Sequence, residues 1–468
     1  MVSKPKKETH DAEKENTIHI SFRGENEVWL EKENTIHISF RGENEVWLEE
    51  ETGEETELVG DVTIFFFPRI PYLCLTTNWA LSIAIPHKLL RRRSRRPPLS
   101  LPSRGLCYSA KMAVPLSNLT PSLLVSKLCL GTMTFGEQNS LSQSFKLLDK
   151  AFDSGINFFD SAEMYPVPQR AETQGRSEEY FGRWLRERKI PRDRVVFATK
   201  VSGPSGQMSW IRGGPTSLDG RNIKMAIDNS LLRLQTDYID LYQLHWPDRY
   251  VPMFGETDYD PVRQYSPVSF DEQLDALGTA VDAGKIRFIG VSNETPYGVM
   301  KFLQAAENNP SYPRIATVQN SYNLLCRNFD SGLGECCHLE RVRLLAYSPL
   351  AMGLLSGKYM LPDGGGDDAR LNLFKGRYSE GESRYNLSKP TIREATKAYV
   401  SIAERYGIHP VSLAIGFVLR HPLVSSAIFG ATKLWQLEEV VNACDIKLSS
   451  EIIADIDEVH SRFPNPCS

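Results

Sequence analysis

The chain has 468 residues, of which 41% are apolar and 24% are charged, a composition typical of a folded globular protein. Its formal net charge of −4 argues against a nucleic-acid-binding protein, for which a strongly basic domain is expected. The eight cysteines include no CxxC pair, so no metal site is predicted, and free thiols in a reducing compartment are expected.

The first 60 residues form an acidic extension that contains a duplication. The segment EKENTIHISFRGENEVWL at 13–30 recurs without change at 31–48. The apolar and polar residues of TIHISF alternate as in a strand, but two copies are too few for a solenoid. We therefore expect residues 1–60 to be a disordered extension, or the product of a recent duplication or a gene-model fault.

Residues 61–111 join a hydrophobic stretch to an Arg- and Ser-rich stretch, and no Asp or Glu occurs from Val62 to Gly136. The uncharged part, 70–86, is shorter than the roughly 20 apolar residues that span a bilayer, so no membrane partner is predicted. The Arg-rich part has the composition of an organelle transit peptide, although it does not begin at the initiator methionine. A cytoplasmic or chloroplast location is the resulting expectation.

From residue 112 onward, short apolar runs alternate with segments of helical period, which indicates βαβ units and a parallel sheet. The predicted helices include 144–155, 270–285 and 391–407. Several helices end in glycine before the next strand, as at Gly155, Gly284 and Gly407, and we expect these to be left-handed C-caps. The eight predicted strands are 126–133, 156–162, 195–201, 238–246, 286–293, 315–322, 344–351 and 425–432.

Eight β/α repeats in residues 112–468 predict an α/β fold, a (β/α)8 TIM barrel, preceded by the non-barrel extension. Two connections are longer than a barrel needs: 246–270 after strand four, rich in aromatic residues and proline, and 353–390 after strand seven, with three consecutive glycines. Both loops leave the C-terminal face of the predicted barrel, where long loops commonly hold substrate or cover a cofactor.

Four side chains at or near strand ends are the candidate catalytic group. Asp160 ends strand two, Tyr165 follows it, Lys200 ends strand three and His245 ends strand four. Each alone has a structural explanation, such as a helix cap or a packed loop residue. Because the strand ends of a parallel barrel converge on one face, we expect the acid, phenol, amine and imidazole to form one proton-transfer site.

Sequence blocks around these residues resemble the aldo-keto reductase family. They include LGTMTFGEQN, GINFFDSAEMY, FATKV, TDYIDLYQLHWPD, GKIRFIGVSNET, LLAYSPLAMGLLSGKY and GATKLWQLEE, which occur in the family's order over about three quarters of the chain. The first block, followed by AEMYPVP, is similar to the bacterial Tas-like branch and its plastid relatives. The resemblance implies an NADP-dependent oxidoreductase that reduces a small-molecule aldehyde or ketone with NADPH, without a metal.

The resemblance also implies roles for the four residues. Tyr165 is expected to donate a proton to the carbonyl oxygen, and Lys200 to lower the pKa of that phenol. Asp160 is expected to hold the Lys200 ammonium, and His245 to orient the substrate oxygen or to assist the proton transfer.

Thirteen cofactor-binding positions carry over from the family. Ser292, Asn293 and Gln319 match positions that hold the nicotinamide carboxamide, and Tyr347 matches the aromatic residue that stacks on the ring. Lys433 is expected to favour the 2′-phosphate of NADPH, and the helix N-terminus there suits phosphate. The pyrophosphate positions are Ser348, Leu350, Lys358 and Arg370, and the adenosine positions are Gly430, Thr432, Gln436 and Glu439.

The chain departs from the family pattern at three places. Val440 stands where the family usually has Asn, which puts one adenine contact in doubt, and Arg343 stands where a small residue is common. The segment 113–128 matches poorly, so an irregular hairpin is expected at the barrel bottom.

Two alternatives to a reductase remain open at this point. One is a non-catalytic NADP(H)-binding regulatory subunit like the β-subunits of potassium channels, which carry Asn where this chain has His245. The other is a Schiff-base lyase acting through Lys200, although the adenosine block has no purpose in that mechanism.

Overall fold

The structure is a computed structural model that describes residues 114–468 in full. Before them it describes only the backbone of short strands, among which Ile18–Phe22 and Ile36–Phe40 carry the same IHISF sequence from the two repeats. The other five are Val28–Trp29, Val46–Glu50, Glu55–Leu58, Phe65–Phe67 and Ala80–Ile83.

The chain divides into two compact units, Met1–Cys107 and Tyr108–Ser468. The predicted disorder of residues 1–60 and the targeting interpretation of 61–111 fall mostly outside the described residues and stay predictions, as do the predicted boundary and the cellular location. Within the part of the chain that the structure describes, no helix is long and apolar enough to cross a membrane.

Eight parallel strands close into a barrel, because the last strand pairs with the first through Leu128 and Ala427. The predicted (β/α)8 fold is confirmed, and each predicted strand is present with slightly different bounds. The strands are β1 (Leu128–Gly131), β2 (Phe158–Asp160), β3 (Val196–Val201), β4 (Ile239–Leu244), β5 (Ile286–Ser292), β6 (Ile315–Ser321), β7 (Arg343–Tyr347) and β8 (Val424–Phe429).

Twelve α-helices accompany these strands in residues 114–468. The helices are α1 (Leu141–Asp153), α2 (Arg176–Arg188), α3 (Gly220–Leu234), α4 (Phe270–Asp282), α5 (Pro296–Asn308), α6 (Leu333–Leu339), α7 (Arg370–Leu373), α8 (Ser379–Arg384), α9 (Pro390–Arg405), α10 (Pro410–Leu419), α11 (Leu434–Asn442) and α12 (Ser450–Arg462). Short 3-10 helices are Arg192–Arg194, Ile211–Gly213, Pro261–Arg263, Asn328–Asp330, Ala351–Ser356 and Lys358–Met360.

Local sequence signals explain where many helices begin and end. Ser140 caps α1 through a capping box with Gln143, which satisfies backbone N–H groups that have no partner within the helix. The predicted left-handed glycines are confirmed, with φ of 86° at Gly155, 70° at Gly284 and 64° at Gly407. Gly155 and Gly284 turn the chain from a helix towards the next strand without a Cβ clash. The expectation that Gly407 also precedes a strand is wrong, because Gly407 leads from α9 into α10.

A hairpin closes the bottom of the barrel. Its strands, Leu116–Thr120 and Leu123–Ser126, are antiparallel, and the pairing shifts between Asn118 and Thr120. The expected irregularity is confirmed. Side chains of the hairpin pack on the first residues of the barrel strands in a buried cluster that includes Leu119, Val125, Cys129, Phe158 and Val196. Because this end is filled, the opposite, C-terminal face is left to hold a site.

Four helices were not predicted from the sequence. In α10, VSLAIGFVL is apolar almost throughout and is buried on most sides, so it lacks the polar face that identifies a helix. The helix α6 is short, and α7 and α8 lie inside the long connection after β7, which was predicted only as a loop.

Candidate active site

Asp160 and Lys200 form a buried ion pair inside the top of the barrel. Asp160 is the last residue of β2, and Lys200 lies near the end of the neighbouring strand β3. The Lys200 Nζ donates to Asp160 Oδ1 at 2.5 Å and to the carbonyl oxygen of Ser161 at 2.6 Å. The Lys200 side chain is 0% exposed, so its charge is balanced by this carboxylate rather than by water.

Two glutamines satisfy the second oxygen of the same carboxylate. Gln319 Nε2 donates to Asp160 Oδ2 at 2.9 Å, and Gln243 Nε2 donates to it at 3.3 Å. The side chain of Gln319 also donates to Gln243 Oε1. Gln243 was not predicted as a site residue, because an amide in the middle of an apolar strand carries no motif of its own.

Tyr165 lies in the loop after β2, beside both Lys200 and His245. Its ring centroid is 5.2 Å from Lys200 Nζ and 5.6 Å from the His245 ring. Burial raises the pKa of the Tyr165 phenol well above its usual range, and the Asp160 carboxylate raises it further. Burial dominates this shift, so the net direction is opposite to the one expected from a neighbouring lysine alone, and the expected effect of Lys200 on the phenol stays a prediction.

His245 follows β4 directly and is buried. Its backbone N–H donates to the carbonyl oxygen of Val201, and its carbonyl oxygen accepts from Asn293 Nδ2 at 2.9 Å. Burial places the pKa of His245 well below its usual range, with a smaller contribution from the Lys200 charge. The ring is therefore neutral near pH 7, and its Nδ1 has no hydrogen-bond partner within the described residues.

A cavity of about 390 Å³ opens on the C-terminal face of the barrel. Asp160, Tyr165 and His245 line it, whereas Lys200 lies beneath the surface and does not. All thirteen predicted cofactor positions line the same cavity: Ser292, Asn293, Gln319, Tyr347, Ser348, Leu350, Lys358, Arg370, Gly430, Thr432, Lys433, Gln436 and Glu439.

The cavity wall near His245 is held by a chain of hydrogen bonds. Tyr347 Oη donates to Asn293 Oδ1 at 2.7 Å, and Ser292 Oγ donates to the carbonyl oxygen of Gln319 at 2.8 Å. Asn293 adopts a φ of 53°, which asparagine tolerates better than most residues. These contacts fix Asn293 and the Tyr347 ring at the rim of the candidate catalytic group.

The segment after β7 brings the cations Lys358 and Arg370, among others, to the cavity. Burial lowers the pKa of Lys358, an effect that Asp368 partly opposes. Arg370 Nε and Nη2 are buried without a hydrogen-bond partner among residues 114–468. Unpaired buried donors on a cation are costly unless an anion satisfies them. This part of the cavity therefore fits a phosphate group of a dinucleotide.

The end of β8 and the start of α11 form the far end of the cavity. Gln436 Oε1 accepts from the backbone amides of Thr432 and Lys433 at 2.9 and 3.2 Å. These amides are satisfied within the protein, so the expectation that they bind phosphate finds no support in this conformation. Lys433 pairs with Asp368 at 3.1 Å, and Glu439 pairs with His409. Val440, the departure from the family pattern, adds an apolar contact to the lining.

Part of the cavity wall that the sequence did not predict comes from the two long loops. Trp246 and Phe254 come from the loop after β4, and Tyr378, Glu380 and Arg384 come from the loop after β7. The aromatic and charged residues of those loops were noted, but nothing in their spacing indicates which ones face inward. In the described ranges, no group of three or more His, Cys, Asp or Glu side chains is arranged to hold a metal ion.

Comparison with known proteins gives the same assignment as the geometry. The model of the Aldo/keto reductase family matches residues 127–461. "Protein tas" of Escherichia coli (strain K12) is 45% identical over 345 residues, 74% of this chain and 97% of that protein. An "Aldo-keto reductase" of Babesia bovis is 38% identical over 58% of this chain and 98% of its own length.

A third relative carries a substrate in its name. The "L-glyceraldehyde 3-phosphate reductase" of Escherichia coli O157:H7 is 32% identical over 333 residues, 69% of this chain and 85% of that protein. The similarity to protein tas confirms the predicted Tas-like branch, and use of NADP is characteristic of the family. The chain belongs to the aldo/keto reductase family.

Proposed function

We propose that this chain reduces aldehydes or ketones to alcohols with NADPH, and that Tyr165 donates the proton. One observation carries the proposal: Tyr165, His245 and Asp160 line the same cavity as all thirteen positions expected to bind the cofactor. A hydride donor held along that wall lies beside a proton donor, which is the arrangement that carbonyl reduction requires.

Tyr165 lines the cavity and carries a phenol proton that it can donate. Its raised pKa keeps the phenol protonated near pH 7, so the proton is present before the reaction begins. An alkoxide that develops on the substrate oxygen is a much stronger base than a phenolate, so the transfer from Tyr165 is downhill.

The other three residues position the reacting groups. Neutral His245 lines the cavity, where a ring N–H would offer a hydrogen bond to the substrate oxygen without competing for its proton. The ammonium of Lys200, held by Asp160 and by the Ser161 carbonyl, places a positive charge 5.2 Å from the Tyr165 ring. That charge stabilises the phenolate as it forms.

The remaining cavity residues would hold the cofactor. Arg370 and Lys358 would bind its phosphates, Ser292 and Asn293 its carboxamide, and Lys433 its 2′-phosphate. When bound, NADPH supplies a hydride to the carbonyl carbon. The buried walls and the apolar side chains of the long loops exclude water from the reacting atoms.

The contacts of Lys200 argue against a Schiff-base lyase. A Schiff-base lysine must present a free amine to the substrate, but Lys200 is fully buried and bonded to two oxygen atoms. Treatment with borohydride and a carbonyl compound is therefore expected to leave Lys200 unmodified.

Transfer of deuterium tests the proposed function. The full-length protein is incubated with an aromatic aldehyde and NADPH deuterated at C4, and the alcohol is analysed by mass spectrometry. We expect carbonyl-dependent oxidation of NADPH and one deuterium on the product carbon. Binding of NADPH, measured by fluorescence quenching, without reduction of any carbonyl would contradict the proposal and favour the regulatory-subunit alternative.

A further inference from the structure

Arg384 is a buried cation in the cavity wall without a carboxylate partner. It ends α8 in the loop after β7 and is 8% exposed. Within residues 114–468, no Asp or Glu forms an ion pair with it, and its Nε has no hydrogen-bond partner. A guanidinium stays charged at any physiological pH, so burying it without an anion is costly.

Aromatic rings surround this guanidinium instead of acids. Its Cζ lies 5.2 Å from the Phe254 ring, 5.6 Å from the Tyr347 ring and 5.3 Å from the Tyr385 ring. Cation–π contacts offset part of the burial cost. They leave the donor on Nε unused.

The position of Arg384 relates it directly to the reaction site. Its Nη1 donates to Tyr347 Oη at 3.0 Å, and that hydroxyl donates to Asn293 Oδ1 at 2.7 Å. Asn293 in turn bonds the backbone carbonyl of His245. A group that contacts Arg384 is therefore only two side chains away from the backbone of the residue expected to orient the carbonyl.

We propose that Arg384 binds an anionic group of the substrate, so that the preferred carbonyl compound carries a carboxylate or a phosphate. The inference rests on the proposed function and adds the substrate class to it. Planar guanidinium groups bind carboxylates and phosphates through paired, charge-assisted hydrogen bonds.

Glu380 is the acid that opposes this assignment, because it lines the same cavity four residues earlier on α8. Its carboxylate accepts two long hydrogen bonds of 3.4 Å from Gln169 Nε2. Burial raises its pKa, and the Gln169 bonds and the Arg384 charge only partly oppose that rise. Glu380 is thus partly satisfied by an amide and less readily charged, whereas Arg384 is always charged and retains a free donor.

Matched substrates test the proposal in the full-length protein. 4-Carboxybenzaldehyde is compared with its neutral isostere 4-carbamoylbenzaldehyde, and glyceraldehyde 3-phosphate with glyceraldehyde. We expect kcat/KM to favour an anionic member about 10- to 10²-fold, the contribution typical of hydrogen bonds to charged groups. The pair that shows the larger ratio distinguishes a carboxylate from a phosphate.

Variants test whether Arg384 causes the preference for the anionic substrate. We expect Arg384→Met to abolish the ratio, and Arg384→Lys, which keeps the charge but not the planar donors, to give an intermediate ratio. Arg377→Met, an exposed arginine on the same loop, is the matched control and is expected to keep the wild-type ratio. Loss of the Arg384 bond to Tyr347 should change kcat/KM for the charged and the neutral substrate by the same factor. It therefore leaves their ratio unchanged.

Binding of a product separates this proposal from the proposed function. Calorimetry with saturating NADP+ compares 4-(hydroxymethyl)benzoate and 4-(hydroxymethyl)benzamide in the wild-type protein and in Arg384→Met. One outcome is that no carbonyl is reduced, while the wild-type protein binds the benzoate more tightly than the benzamide and Arg384→Met does not. In that case the reductase proposal fails and the anion site stands.

Three results would overturn the anion site. The first is equal kcat/KM and equal binding for the charged and neutral members in the wild-type protein. The second is an Arg384→Met variant that lowers both substrates equally, which would make Arg384 a positioning residue for Tyr347. The third is a preference for 4-(trimethylammonio)benzaldehyde, which would assign specificity to Glu380.

Discussion

The buried ion pair at the base of the active site makes a strong prediction about stability. Replacing Lys200 by methionine removes both short bonds of the ammonium, 2.5 Å to Asp160 Oδ1 and 2.6 Å to the Ser161 carbonyl. The Asp160 carboxylate, which is 3% exposed, then keeps only the amide donors on Oδ2. Breaking a buried pair in this way typically costs about 3–5 kcal/mol.

The loss of stability in Lys200→Met should come from the unpaired Asp160 carboxylate rather than from the loss of the lysine side chain. The double variant Asp160→Asn/Lys200→Met leaves no charge unpaired, so we expect it to lose only about 1–2 kcal/mol. The two substitutions are then coupled by at least about 2 kcal/mol in a double-mutant cycle.

Urea unfolding followed by tryptophan fluorescence measures these differences, with constant m-values as the check that the transition itself is unchanged. Lys285→Met is the matched control, because Lys285 makes a bond of 2.6 Å to Asp228 but both side chains are about half exposed. Exposed pairs contribute no more than about 1 kcal/mol. If Lys200→Met costs no more than Lys285→Met, the reasoning about the buried pair is refuted.

Three further predictions follow from individual residues. The pKa of His245 is lowered in the folded protein, so the unfolded chain binds a proton that the folded protein excludes. As the pH decreases from about 6.5, the free energy of unfolding should therefore decrease by up to about 1.4 kcal/mol per pH unit. The decrease should be smaller in His245→Gln, and equal pH profiles of the two proteins in urea unfolding would contradict this. Gly182→Ala places a Cβ 2.3 Å from a backbone oxygen of α3 and should lower the free energy of unfolding by about 2 kcal/mol or more. Gly220→Ala, whose Cβ has no contact under 3.8 Å, should leave the stability unchanged. Equal melting temperatures of the two variants would show that Gly182 does not lie so close to α3. Arg370→Met should weaken NADPH binding about 10- to 10²-fold in fluorescence titrations, and Arg377→Met should not; unchanged affinity in both would remove Arg370 from the phosphate site.

The barrel was predictable because its strands are short apolar runs with polar residues at their ends. Asp160, Lys200 and His245 stand at those ends, and parallel strands bring their ends to one face whatever the details of packing. The cofactor positions were predicted on a different basis, since the family resemblance carries them residue by residue; the structure shows that they line one cavity, and their roles stay predictions.

What the sequence did not predict depends on burial and on contacts between distant residues. The helix α10 has no polar face, so its sequence shows no alternation of apolar and polar residues with the helical period. Arg384 looked like one of several charged residues in a long loop, and only its packing against Phe254 and Tyr347 makes it a buried cation. The pKa of Tyr165 is raised chiefly because the phenol is buried, and the sequence shows which charges are near the phenol but not how deeply it is buried.

The central claim is that Tyr165 donates the proton in an NADPH-dependent carbonyl reduction. The most direct measurement compares kcat and NADPH binding of the wild-type protein and Tyr165→Phe with a reactive aromatic aldehyde. The account predicts equal affinity for NADPH and a loss of about 10²–10⁴ in kcat, the usual contribution of a positioned general acid. A phenylalanine variant that binds NADPH equally and reduces the aldehyde at the wild-type rate would contradict it.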